Sequence, residues 1–218
     1  MKYRFLLLML FSILIYFLNI KMLYAFNFSN MTSYKELRYN YMFEQTFGWS
    51  CGPASVATLL HYYYGIETSE EEVVQLVIEV SENDDYLYKG IDLLMIKNIF
   101  SKFNIESIGY RTDIKSLSDY YDQGGLPLIL YLTVPEKHFV VGIGKINNNQ
   151  ILIADPSYGY LVINLNLLEK QKGFDGIVMV TIPSQENHIR KIKFMQDNVL
   201  EIYRNRNNML NRLKNHLR

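Results

Sequence analysis

Cysteine is nearly missing from this chain: Cys51 is the only one in 218 residues, so no intrachain disulfide can brace the fold. Net charge is missing as well. The 22 Lys and Arg balance the 22 Asp and Glu, which argues against nucleic acid as a partner. Beyond residue 25 no apolar run approaches the ~20 residues needed to span a bilayer. No Gly-x-x-x-x-Gly-Lys-Ser/Thr phosphate loop is present. Cys, His and carboxylate residues do not cluster at ligand spacing, so neither a metal nor another cofactor is expected. Internal repeats and low-complexity segments are also lacking.

What remains is a globular composition. With 49% hydrophobic and 20% charged residues, the chain is no disordered polyelectrolyte. Its length suits one domain, at most two small ones, with a real core. The zero charge is a sum of unlike pieces. Residues 1–25 carry Lys2, Arg4 and Lys21 and no acid, residues 26–184 have 11 bases against 19 acids, and residues 185–218 have 8 bases against 3 acids. The first piece has the pattern of a secretory signal: Lys2 and Arg4 precede a run from Phe5 to Leu18 that is apolar except for Ser12 and Tyr16. Cleavage after Ala25 is one expectation. An uncleaved anchor over residues 5–23, interrupted by Asn19 and Lys21, is the other. Both place the rest of the chain outside the cytoplasm, periplasmic or extracellular. A lone cysteine there is either an inert core residue or a working thiol.

Residues 26–44 show no clear period. From Cys51 to Tyr64 the apolar residues Val56, Leu59, Leu60 and Tyr63 fall at helical spacing, and Gly65 follows as a stop. Thr68 or Ser69 can cap a second helix, with Glu70, Glu71 and Glu72 at its positive end and Val73, Leu76, Val77 and Val80 on one face. Ile91 to Phe103 reads as a third. The texture then changes. Pro127 to Val134, His138 to Gly144, Ile151 to Ala154 and Ile177 to Ile182 are short, β-branched and turn-bounded, with Asn147-Asn148-Asn149 as a hairpin connection. Helices followed by an antiparallel sheet predict an α+β domain.

Cys51 opens the first helix, in the run Gln45-Thr-Phe-Gly-Trp-Ser-Cys51-Gly-Pro-Ala-Ser. A thiol there meets the positive end of the helix dipole, which favours the nucleophilic thiolate. Gly52 permits close backbone approach, and Pro53 suits the first helical turn. The bland alternative is a buried cysteine acting as a small hydrophobe. A cysteine nucleophile needs a base. Of the four histidines, His61 lies mid-helix, while His188 and His216 lie in the basic tail. His138 begins a strand, where an imidazole either faces solvent or projects toward a helix terminus. The base in turn needs an orienting group. Asp155 ends the next strand, and is either that group or a simple turn residue before Pro156. Oxyanion donors are available in the Cys51 N–H and the Gln45 side chain, unless Gln45 is an ordinary surface residue.

These pieces, in this order, resemble the C39 peptidases, papain-like cysteine peptidases that cut leader peptides after a double glycine. The resemblance rests on Gln45, six residues before Cys51-Gly52-Pro53-Ala54-Ser55, on His138-Phe139-Val140-Val141, and on Asp155-Pro156. It covers about Tyr41 to Ile182. It implies a papain-like fold, with N-terminal helices packed on an antiparallel sheet, and a peptidase domain over residues 26–184. It further implies Cys51 as nucleophile, His138 as base, Asp155 as its orienter and Gln45 as oxyanion donor. Many members precede an exporter's membrane helices and ATPase, which this sequence does not carry. The expected function is a cysteine endopeptidase acting on an exported protein or peptide, after a Gly-Gly-like small-residue site. A non-catalytic peptide-binding module and an acyl-transferring enzyme are the alternatives. Gly124-Gly125 within the chain reads as a loop and not as a cleavage site.

From Ile189 onward, Ile192, Met195, Val199, Ile202, Met209, Leu213 and Leu217 recur mostly every three or four residues. Basic residues fill the other faces. Residues 185–218 are therefore expected to form a basic amphipathic helix, broken around Asn205–Asn208. Packing on the acidic body is one role for it; contact with an anionic membrane surface or a partner protein is the other.

Overall fold

The computed structural model describes residues 33–81 and 83–216, together with Ile15 and Tyr16. The expected export segment, residues 1–25, otherwise lies outside the described residues. Among the described residues no helix is long and apolar enough to cross a membrane. The chain divides into two compact units, residues 1–37 and 38–218. Helix α1 (Tyr34–Arg38) starts at a reciprocal cap. The Ser33 N–H donates to Glu36 Oε2 at 2.6 Å, and the Glu36 N–H donates to Ser33 Oγ at 3.1 Å. A helix of barely one turn carries no periodicity, so the residues around it read as irregular.

In the second unit, α2 (Cys51–Thr58) passes directly into a π-helical turn, Leu59–Tyr64, and Gly65 closes it at φ 68°. The single expected helix is therefore two helical forms, joined where three tyrosines and a histidine crowd two turns. Ser69, not Thr68, caps α3 (Glu70–Val80). Its Oγ accepts from the Glu72 N–H, and Glu72 reaches back to the Ser69 N–H. A short helix, α4 (Tyr86–Lys89), precedes α5 (Leu93–Lys102). α5 begins two residues later than the sequence predicts. Asp92 stays extended and accepts from the Met95 N–H at 2.8 Å, so it is the cap.

The remaining elements are β1 (Glu106–Arg111), α6 (Ile114–Asp122), β2 (Leu128–Leu132), β3 (His138–Asn147), β4 (Gln150–Asp155), β5 (Gly159–Asn164), α7 (Leu165–Lys172), β6 (Ile177–Ile182) and α8 (Glu186–His216). All six strands form one sheet in the order β1-β6-β2-β3-β4-β5, and every neighbouring pair is antiparallel. β1, α6, β5 and α7 are not legible in the periodicity. β1 is an edge strand with four of six residues exposed, so the alternation that marks a half-buried strand is absent.

Alternate residues of strands β2 to β6 feed two cores. On one side Val56, Leu59, Leu60, Ile96 and Phe100 pack against Ile129, Val141, Leu152 and Met179. On the other, Leu117, Leu165, Leu168 and Phe174 pack against Leu130, Val140, Ile153 and Val178. β3 is covered on both faces, and this is why it reads as an uninterrupted apolar run.

Helix α8 is continuous over 31 residues, without the expected break at Asn205–Asn208. Ile192, Val199 and Leu200 are buried in the first core. Between them Gln196 Nε2 donates to the Ile143 carbonyl at 2.6 Å and to that of Gly125 at 2.9 Å. Lys193 reaches the carbonyl of Gly124, so the paired glycines form the turn before β2 that α8 holds. Ile202 and Met209, which the spacing places on the same stripe, are 44% and 65% exposed. The helix is thus a core element as far as Leu200. Deleting residues 186–218 is expected to abolish the cooperative thermal transition. Gln196→Ala, which removes the donor to the buried Ile143 carbonyl and the part-buried Gly125 carbonyl, is expected to lower stability by about 2 kcal/mol in urea titration.

Candidate active site

Cys51 lies at the first position of α2, where the leading backbone N–H groups of a helix have no intrahelical partner. Ser50, just before it, does not cap the helix through its side chain. Its hydroxyl instead bonds both the N–H and the carbonyl of Phe47, drawing the Gln45–Ser50 loop into a tight turn. The thiol is 7% exposed. The Phe139 N–H donates to its sulfur at 3.5 Å, and one turn later Ser55 Oγ donates to the Phe139 carbonyl at 3.2 Å. Helix α2 and strand β3 are therefore joined through the main chain of one residue.

His138 starts β3 and Asp155 ends β4, with Val141 opposite Ala154 in the register between them. His138 Nε2 meets Asp155 Oδ1 at 2.8 Å, and the ring also hydrogen-bonds the Cys51 thiol. Asp155 is 2% exposed and accepts in addition from the Ser157 N–H at 2.9 Å. Burial works against charge on the imidazole, but the hydrogen bonds and charges of Asp155 and Cys51 outweigh it, and the ring's pKa is raised from 6.5 to about 9. At neutral pH the site thus presents an imidazolium between the side chains of Asp155 and Cys51.

Gln45 is brought into the same cluster by a different route. Its backbone N–H donates to the Pro156 carbonyl at 3.0 Å, and its Oε1 accepts from Ser157 Oγ at 2.7 Å. Its Nε2 donates to the carbonyls of Phe47 at 2.9 Å and Gly48 at 3.3 Å. The carboxamide is tethered at both ends, within the loop that leads to Cys51. Next to it, Glu70 is 5% exposed and accepts from both the N–H and the hydroxyl of Thr46. His61 does not join the cluster; its Nδ1 is paired with the Thr68 carbonyl.

Ser157 and Glu70 are not found by reading motifs. A signal for Ser157 exists, since Asp-Pro-Ser suits an Asx turn in which the carboxylate accepts from the N–H two residues on. Glu70 reads as one of three helix-start acids, and only the fold turns it inward.

A cleft of about 860 Å³ opens beside Cys51, walled by Tyr86, Ile91, Tyr131 and Phe139, with Lys137 at its margin. A Cβ on Gly52 would lie 2.6 Å from Ile91 Cγ1 and 3.4 Å from Phe139 Cδ2, so this wall closes tightly on the helix. Among the described residues no group of three or more His, Cys, Asp or Glu side chains is placed to hold a metal ion. Chemically, the arrangement suits attack by sulfur on a carbonyl, with a proton carrier and an open cleft at hand.

The raised His138 pKa carries a stability consequence with a definite sign. The charged ring is favoured in the folded state, so its contribution is complete below about pH 6.5 and is lost as pH rises through about 9. The unfolding free energy of the native chain should exceed that of His138→Gln by on the order of 3 kcal/mol at pH 6. That difference should shrink steadily up to pH 10, as read by denaturant titration across pH.

Comparison with known proteins identifies the family and the fold. The family model of the peptidase C39 family matches residues 39–186. The chain is 28% identical over 156 residues to a probable functional amyloid protease, FapD, of Pseudomonas aeruginosa, and 24% identical to that of Pseudomonas fluorescens. Each match covers 71% of this chain and 66% of the relative, so the chain spans just under two thirds of their length. Among solved structures, a double glycine motif protease from an AMS/PCAT transporter, in complex with the leader peptide, superposes with TM-score 0.53 at 24% identity, over 66% of this chain and 91% of the other. The peptidase domain of Streptococcus ComA, a bifunctional ABC transporter, gives 0.54 at 23% identity, over 66% and 98%. These two share the α+β, papain-like arrangement of helices on an antiparallel sheet. With a family model matched over more than half its length, the chain belongs to the peptidase C39 family.

Proposed function

We propose that this protein is a cysteine endopeptidase in which Cys51, His138 and Asp155 act together and Gln45 completes the oxyanion site. The observation that carries the reading is one imidazole held between a buried carboxylate and the chain's sole thiol. The thiol proton rests on His138 in the ion pair. The Cys51 sulfur attacks the scissile carbonyl, and the oxyanion is met by the Cys51 N–H and by Gln45 Nε2. For this the two loop carbonyls share one amide hydrogen of Gln45, and the second turns to the oxyanion. His138 then gives its proton to the leaving amine. Water, deprotonated by the same ring, resolves the thioester.

The tight wall at Gly52, Ile91 and Phe139 favours small residues before the cut, of the Gly-Gly type. The two Pseudomonas relatives and the leader-peptide complex support an extended segment of an exported protein or peptide as substrate. Export of this chain itself rests on the pattern of residues 1–25. The exposed Arg206 and Arg212 of α8 are the basic residues we propose to meet an anionic membrane or a partner protein.

The test uses a peptide-Gly-Gly-aminomethylcoumarin substrate and iodoacetamide. The native chain should hydrolyse the peptide. Cys51→Ala and His138→Ala should each lose roughly 10³-fold or more in kcat. Cys51 alkylation should be faster than that of a free thiol and should slow in His138→Ala. Hydrolysis should fall as pH rises through about 9, where His138 loses the proton the leaving group needs. A thiol that alkylates at the free-thiol rate, indifferent to His138, would sink the peptidase reading.

A further inference from the structure

The turn after β4 carries a group that this reaction scheme leaves unused. Ser157 faces two members of the cluster at once. Its N–H donates to Asp155 Oδ1 at 2.9 Å, and its hydroxyl donates to Gln45 Oε1 at 2.7 Å. The first bond is made by backbone, so any residue at this position supplies it. The second belongs to the hydroxyl alone. A carboxamide has one oxygen and one nitrogen on a planar group, so fixing the oxygen fixes where the N–H bonds point. With Ser157 at Oε1 and the Phe47 and Gly48 carbonyls at Nε2, Gln45 is held in one of its two flipped orientations, within the loop that leads to Cys51.

We infer that Ser157 is a positioning residue for oxyanion stabilisation, acting through Gln45 and not through His138. This rests on the peptidase reading given above. The turn itself does not need the hydroxyl. The Ser157 carbonyl accepts from Tyr39 OH at 2.9 Å, the Tyr158 carbonyl accepts from Arg38 Nε at 2.7 Å, and the Pro156 carbonyl accepts from the Gln45 N–H at 3.0 Å. Gly159 lies so close to Arg38 that a Cβ there would meet both its side chain and its carbonyl oxygen. Three straps therefore hold the main chain of residues 156–158 whatever side chain stands at 157. Removing the hydroxyl takes away the bond to Gln45 Oε1, so the amide is held at its nitrogen alone, and it leaves the Asp155–His138 pair where it is.

The two halves of the site then separate experimentally. Alkylation of Cys51 by iodoacetamide reports on the thiol and His138 and involves no oxyanion, whereas peptide hydrolysis needs both halves. In Ser157→Ala, kcat for the Gly-Gly-aminomethylcoumarin peptide should fall roughly tenfold, within the ~10²-fold that loss of a whole oxyanion donor brings. KM and the pH profile of alkylation should stay as in the native chain. Ser157→Thr, which keeps the hydroxyl, should restore most of kcat. Gln45→Ala should lose at least as much as Ser157→Ala, and the double variant no more than Gln45→Ala alone. The inference is overturned if Ser157→Ala hydrolyses at the native rate, or if alkylation slows in parallel with hydrolysis. The second result would assign Ser157 to the Asp155 turn instead. A native chain that neither hydrolyses the peptide nor shows accelerated alkylation overturns the peptidase reading, and this inference with it.

Discussion

The main chain of Phe139, its N–H and its carbonyl, is the joint on which the site depends. In an antiparallel ladder a residue's N–H and carbonyl point to the same neighbour. At Phe139 that neighbour is not a strand. β4 pairs with β3 only from Ala154 opposite Val141 onward, and at Asp155 the chain turns away. The vacated edge is taken by α2, whose Cys51 sulfur accepts the N–H and whose Ser55 hydroxyl donates to the carbonyl. A buried peptide left unpaired there would cost about 1–3 kcal/mol per group. The same gap that creates this need also frees Asp155 to meet His138. Sheet divergence, helix docking and the carboxylate–imidazole pair are thus one structural event.

That event explains why a nucleophile at this place sits on a helix with no exposed face. All eight residues of α2 are buried, so its orientation is set by packing on every side. Gly52 is a consequence. The helix comes so close to Ile91 and Phe139 that a single added carbon would overlap Ile91. The distance between thiol and imidazole is therefore set by two rigid elements and not by side-chain freedom. Preorganisation of this kind is what acyl transfer requires, since a small misplacement of the reacting groups costs rate steeply.

How much of this the sequence discloses follows from which contacts are local. Cys51, His138 and Asp155 each stand at the end of a regular element, and element ends leave marks: a Gly-Pro after the thiol, a β-branched run after the imidazole, a proline after the carboxylate. Their meeting is legible because a short hairpin forces β3 and β4 together. The Ser69 cap and the early half of α8 are legible for the same reason, through i, i+3 and i, i+4 spacing. The rest is set by partners far along the chain. β1 is a strand because β6 pairs with it, not because Glu-Ser-Ile-Gly-Tyr-Arg favours one. The buried role of Glu70 depends on Thr46, 24 residues earlier, and that of Ser157 on Gln45, 112 residues earlier. The helix break expected at Asn205–Asn208 fails because neighbours override propensity. Arg204 donates to the carbonyls of Lys145 and Ile146, and Asn207 to Gln150, which anchors the stretch that asparagine-rich composition would loosen.

The cluster is built to two standards of rigidity. Thiol, imidazole and carboxylate stand on α2, β3 and β4, elements whose geometry the two cores enforce. The Gln45 side stands on a loop, and a loop must be held by explicit bonds. It has them in unusual number: Glu70 on Thr46, Ser50 on Phe47, Ser157 on Gln45 and the Pro156 carbonyl on the Gln45 N–H. The Glu70 carboxylate, 5% exposed at the first turn of α3, is stabilised there by the helix's positive end as well as by Thr46. A loop fixed through individual hydrogen bonds is stiff only while they persist. A helix wedged between two cores has no such weak member. Substitutions that spare the fold but alter the chemistry should therefore concentrate on the loop side, where positioning can be lost one bond at a time.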